Sequence, residues 1–142
     1  MTIAAVTLTL SFAVAGCSSS GSDTPDSGPT VCTQAQVDTI FAAKCTVCHG
    51  PGGAYAGLDL SSTGLASRLV GVAPPGGGSA APSVCTGMSK VYLTAGSNPA
   101  TGLLLDKLGS NPGCGVRMPY MLAALSASDI ACVQSWANTV TH

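Results

Sequence analysis

The residues Cys45-Thr46-Val47-Cys48-His49 carry the clearest chemistry in this sequence. On a helical turn, positions i, i+3 and i+4 share one face. Two thiols and an imidazole so placed can meet one flat object together. Thiols add to the vinyl groups of a haem to form thioethers, while the imidazole binds iron, and Cys-x-x-Cys-His is the spacing that serves this attachment. Parts of the pattern serve other chemistries. A Cys-x-x-Cys redox pair belongs near a βαβ pattern, which this sequence lacks. A zinc site needs two further ligands, usually a second close pair, and Cys85, Cys114 and Cys132 are scattered. The motif reads as the attachment site of one haem c, with Cys45 and Cys48 as covalent anchors and His49 as an axial ligand. For the second axial position the candidates are Met88, Met118, Met121 and His142. His142 is the last residue, where chains fray, and a lone Met is ordinarily a gap filler.

The elements that position this motif can be read from caps and periodicity. Thr33 with Gln36 three residues on forms a capping box. Val37, Ile40 and Phe41 follow at helical spacing, so residues 34 to 44 are expected to form an amphipathic helix that delivers Cys45. Residues 50 to 57 read as a Gly-rich loop. Ser61 or Ser62 is expected to start a short helix over Leu65, Leu69 and Val70. Residues 71 to 83 form a second loop. Asn98 and Pro99 have the types of an N-cap and first helical residue, which predicts a helix running to Leu108 and ending at Gly109. Residues 113 to 119 form a third loop. Ser126 caps a last helix with Asp129 in its first turn and an apolar stripe of Ile130, Val133, Trp136, Ala137 and Val140. No run of strands emerges, so the expected class is all-α with long loops.

Composition narrows the function classes. The chain has 142 residues, with 5 Lys+Arg and 6 Asp+Glu, a net charge of -1 and aromatics at only 4%. Charged residues are 8% of the chain, against about 25% in an average soluble domain. No basic run exists to neutralise phosphates, which argues against nucleic acid as a partner. So few aromatics amid so much loop suggest that something other than side chains fills part of the core.

The first residues explain one of the seven cysteines. Ile3 to Ala15 is an uncharged apolar run of about 13 residues, short of the roughly 20 that a spanning helix needs, and it has the form of a secretory signal. It ends Val14-Ala15-Gly16-Cys17, which resembles the lipobox of bacterial lipoproteins. The resemblance implies a signal peptide over residues 1–16, cleavage before Cys17 and lipid on Cys17. Residues 17–31 then form a lipidated start and a Ser/Gly/Pro-rich flexible linker. Export implies a periplasmic or cell-surface location in an oxidising compartment. Ser18 beside the lipidated cysteine resembles outer-membrane lipoproteins.

Residues 32–142 resemble a class I type cytochrome c domain. The resemblance rests on the attachment motif after a first helix, on Met118-Pro119 in the third loop, and on a closing helix with Trp136. It implies a small cytochrome c fold around one covalently bound haem, Met118 as the sixth ligand, and one-electron transfer to redox partner proteins rather than enzymatic turnover. Met121 reads as packing near the last helix and Met88 as core or surface. In that fold the first and last helices cross, which implies Cys32–Cys132 and Cys85–Cys114 as disulfides. The resemblance also asks for a carbonyl opposite the second ring nitrogen of His49, with Gly50-Pro51 and Gly57-Leu58 as the candidate stretches. Arg117 is a candidate partner for a haem propionate or a solvated loop charge. Tyr55, Tyr92 and Trp136 are candidates for haem contact or for ordinary packing, and Asp59 and Asp106 read as solvated. Few lysines imply docking that depends little on salt. The rival reading is a haem enzyme or gas sensor whose sixth position opens. Peroxidase chemistry would need distal acid–base groups, and the chain has no spare internal His and no Glu.

Overall fold

Thr33 accepts a hydrogen bond from the Gln36 backbone N–H at 3.4 Å, and the Gln36 side chain accepts from the Thr33 N–H at 2.8 Å. This reciprocal cap starts α1 (Gln34–Lys44) in a computed structural model that describes residues 31–51, 55, 57–61, 63–74, 85 and 89–142. The signal-peptide and linker readings, Cys17 and Met88 lie outside these residues, Val31 apart. Three more helices follow: α2 (Leu65–Leu69), α3 (Leu103–Leu108) and α4 (Ala127–Val140). Among the described residues there is no named strand, only an isolated parallel bridge between Val70 and Leu93. The architecture is helical with long connections. No helix among the described residues is long and apolar enough to cross a membrane.

The core forms where α1 packs on α4 and α3 on α4. Val37 and Phe41 from α1 and Val133, Trp136 and Ala137 from α4 are buried, as their spacing requires. Burying a side chain of the size of Phe41 contributes about 2–3 kcal/mol. The indole N–H of Trp136 donates to Gln34 Oε1 at 2.9 Å, so the buried ring leaves no donor unmet. The Cys32 N–H donates to Ser135 Oγ at 3.0 Å, and the Cys32–Cys132 disulfide closes the same corner. Together these ties fix α1, and hence the residues that follow it, against α4. Nine leucines fill most of the rest, from Leu58 to Leu125.

Two helices begin later than their sequence signals suggest. α3 starts at Leu103 and not at Pro99, because the backbone from Gly96 to Ala100 is engaged with α4. The Ala100 N–H donates to Asn138 Oδ1 at 2.7 Å, and the Ala100 carbonyl accepts from Gln134 Nε2 at 2.9 Å. Gly102, at φ 140°, then turns the chain into α3. A Cβ at Gly102 would meet the Tyr92 carbonyl oxygen and stand 2.8 Å from Leu93 Cα, so no side chain fits there. The expected end at Gly109 holds. α2 starts after Gly64 rather than at Ser61, whose N–H and hydroxyl both donate to Asp59 Oδ1 at 2.8 and 2.7 Å in a local turn. Asp59 is thus engaged rather than merely solvated. Asp106 likewise pairs with Lys90 at 2.7 Å, a half-exposed ion pair of small energetic weight.

Candidate functional site

α1 does not release the chain at Lys44. The N–H groups of Cys45 and Thr46 donate to the Phe41 carbonyl at 2.7 and 3.0 Å. Those of Cys48 and His49 donate to the Cys45 carbonyl at 3.1 and 2.8 Å. One further turn therefore carries Cys45, Cys48 and His49 on from a helix whose opposite end is locked to α4. Gly50 then turns close under this motif: a Cβ there would stand 2.6 Å from the Thr46 carbonyl oxygen. The loop beyond folds back, with the Tyr55 N–H donating to the Cys48 carbonyl at 3.2 Å and the Leu60 N–H to the His49 carbonyl at 2.8 Å. The motif is fastened from before and after.

Among the described residues, Cys45 and Cys48 are the unpaired cysteines. The others form the pairs Cys32–Cys132 and Cys85–Cys114, the pairing that the resemblance implies. Cys48 is exposed, whereas burial pushes the Cys45 thiol up to about 11. A redox dithiol or a zinc ligand works as thiolate, and thiolates form at helix N-termini or beside cations. Cys45 has neither a helix N-terminus nor a lowered pKa; it caps the C-terminal end of α1. Among the described residues no three His, Cys, Asp or Glu side chains gather as a metal-binding group. The redox and zinc readings find no support in these features.

Burial lowers the pKa of His49 below its ordinary value, opposed in part by the nearby backbone of Tyr55 and Leu58. The ring is held neutral, the form whose nitrogen can bind a metal. No hydrogen bond of ordinary geometry reaches its Nδ1, although that atom is buried. Of the two candidate stretches for a carbonyl partner, it is Leu58 whose backbone lies near the ring.

Met118 lies in a separate loop fastened to α3. Its N–H donates to the Lys107 carbonyl at 2.8 Å. The Lys107 ammonium turns to the same loop and donates to the carbonyls of Cys114 at 2.7 Å and Val116 at 3.1 Å. The Cys85–Cys114 disulfide anchors the start of this loop. Met118 is partly buried. Beside it, Arg117 donates through Nη2 to the Leu122 carbonyl at 3.3 Å, while its Nη1 is buried without a partner. Arg117 is therefore not a freely solvated charge. Met121 does not pack near the last helix as expected: it is 85% exposed at φ 57°. His142 is exposed at the end of the chain. Tyr92 and Trp136 are core residues, whereas Tyr55 is half exposed.

A feature that sequence reasoning missed is the distribution of exposed apolar side chains. Val47 lies within the Cys45–His49 turn and Tyr55 follows it, while Val116, Tyr120, Met121 and Leu122 flank Met118. Val47 is 89% exposed. Of the eight large apolar side chains exposed among the described residues, these six lie within or beside the two segments, and Val31 and Val72 lie elsewhere. A large apolar group with anionic arms would suit these exposed side chains and the unmet Nη1 of Arg117. With two free thiols and a neutral imidazole on one turn, the residues present fit a haem c. Searched against protein-family models, curated proteins and solved structures, the chain matches none.

Proposed function

We propose that this chain is an exported, lipid-anchored electron carrier with a small cytochrome c fold and one covalently bound haem. The observation that carries the reading is the Cys45–His49 turn, where two thiols stay unpaired in a chain that pairs its other described cysteines. In an exported protein a spare dithiol tends to oxidise, so a thiol pair kept free has another use. Cys45 and Cys48 would hold the group by thioethers, and His49 and Met118 would hold its iron. When bound, the haem supplies a reversible one-electron couple at iron. The chain's own residues set its conditions. The buried imidazole of His49 stays neutral and available to iron. The Met118 thioether donates weakly and favours the ferrous form, which raises the potential. The exposed apolar residues beside both segments would cover the apolar faces of such a group, and Arg117, with its buried Nη1 unpartnered, would supply a positive group for an anionic arm. With His49 and Met118 both holding iron, no position would remain for a substrate to bind it, so the reading is a carrier and not an enzyme. The near-neutral surface implies redox partners of weakly charged contact area, with little dependence on salt.

Replacing both Cys45 and Cys48 by Ser tests the attachment. Wild-type protein, denatured and extracted with acidified solvent, should keep its haem absorbance on the polypeptide. The Cys45→Ser, Cys48→Ser variant should lose all of it. Haem that leaves the wild type under the same extraction would remove the basis of the reading.

A further inference from the structure

Lys107 engages the Met118 loop through both its backbone and its side chain. Its carbonyl accepts from the Met118 N–H at 2.8 Å, while its ammonium donates to the carbonyls of Cys114 at 2.7 Å and Val116 at 3.1 Å. These three acceptor and donor points span Cys114 to Met118, the segment that leads into the sulfur. The loop has no helix or strand ladder of its own across these residues. Its order must therefore come from such ties, since loop backbone that lacks partners samples many conformations. Lys107 is well placed to supply them. It sits in the last turn of α3, whose Leu103, Leu104 and Leu108 are buried, so its own backbone is fixed by the core. A surface lysine would ordinarily point its charge to water. This one directs its ammonium to two loop carbonyls, of Cys114 and Val116, and is only partly exposed.

We propose that Lys107 is a positioning residue for the axial ligand: it holds the Cys114–Met118 segment closed so that the Met118 sulfur stays at its post. The proposal rests on the haem reading above. Lys107 touches no reacting atom in this role; it acts through the loop. Hydrogen bonds from a charged donor are the stronger kind, and losing one corresponds to a factor of about ten or more in the closed-to-open ratio of the loop.

The test uses the full-length holoprotein isolated from membranes, as wild type, Lys107→Met and Lys107→Arg. Methionine keeps the stem and its packing but removes the donors, and arginine keeps a charged donor group of similar reach. Three readouts separate positioning from general stability: the Met-to-iron charge-transfer band of the oxidised protein, the reduction potential, and carbon monoxide binding by the reduced protein. Lys107→Met is expected to keep its covalent haem and to weaken or lose the band. Its potential should fall, and its carbon monoxide binding should rise about tenfold or more. Lys107→Arg is expected to restore the band. An unchanged band and unchanged carbon monoxide binding in Lys107→Met would overturn the proposal. So would a shifted potential with the band intact, which would leave Lys107 with an electrostatic effect alone. Amide exchange in the wild type decides the matter even if a variant does not accumulate: the Met118 amide should be protected, and exchange at the rate of an open chain would overturn the role. Absence of covalent haem from the wild type would overturn the cytochrome reading itself, a result distinguishable from all the others.

Discussion

Met118→Ala is expected to keep the haem on Cys45 and Cys48 and yet to change its chemistry. The Met-to-iron charge-transfer band should disappear. The reduction potential should fall by at least about 60 mV, which is a tenfold change for a one-electron couple. The cause is the loss of a weak thioether donor that favours the ferrous state, together with the entry of water to a segment that Lys107 and the Cys85–Cys114 disulfide otherwise hold closed. Carbon monoxide should bind the reduced variant and not the reduced wild type. This comparison also separates the carrier from its rival. If the reduced wild type bound carbon monoxide as readily as Met118→Ala, the sixth position would already be open, and the haem enzyme or gas sensor would become the better reading. Met121→Ala should leave the band in place, because Met121 projects into solvent.

Removing the Cys32–Cys132 disulfide is expected to be the most damaging change to stability. It joins residues 100 positions apart, and loss of a native bridge in a small exported domain costs about 2–5 kcal/mol. Against a total of about 5–15 kcal/mol for an ordinary domain, that is a large share. The bridge also stands where Cys32 meets Ser135 and Gln34 meets Trp136, so it restrains the seam that carries α1 and, at its far end, the Cys45–His49 turn. The double variant Cys32→Ser, Cys132→Ser is the right comparison, since a single replacement would leave a thiol free to compete with Cys45 and Cys48. Urea unfolding should show a lower midpoint and a steeper slope, because the unfolded chain freed of the bridge is more open and exposes more surface. The Cys85–Cys114 bridge spans only 29 positions, and loop-closure entropy makes its effect about 1 kcal/mol smaller. Equal midpoints for the wild type and the Cys32/Cys132 variant would contradict this account of the fold.

The parts of the fold that were legible in the sequence are those governed by local rules. α1 and α4 begin where Thr33 with Gln36 and Ser126 with Asp129 announce them, because a cap and the turn it caps are adjacent in sequence. The buried stripe of α4 follows from a period of 3.6 residues. For α3 the local signature points too early, for the same reason in reverse. Asn98-Pro99 carries the local signature of a helix start, but Ala100 bonds to Gln134 and Asn138, more than 30 residues away, and no local pattern shows that. α2 yielded to a turn at Asp59 and Ser61. At the site, the spacing of Cys45, Cys48 and His49 was sufficient to place all three on one turn. Lys107 was not legible as a partner of the Met118 loop, since its hydrogen bonds depend on how the loop returns to α3. Nor was the exposure of Tyr120, Met121 and Leu122, since irregular backbone carries no periodicity from which to read an inside and an outside.

The central claim is that Cys45 and Cys48 carry a haem, and mass measurement of the chain itself tests it most directly. Protein extracted from membranes is reduced, denatured and weighed intact, then weighed again as peptides. The expected result is a chain that begins at Cys17, bears acyl groups there and carries the mass of one haem, with that added mass found on the peptide that contains Cys45 to His49. A bare Cys45–His49 peptide with two free thiols, from protein made in a cell able to attach haem, would contradict the claim.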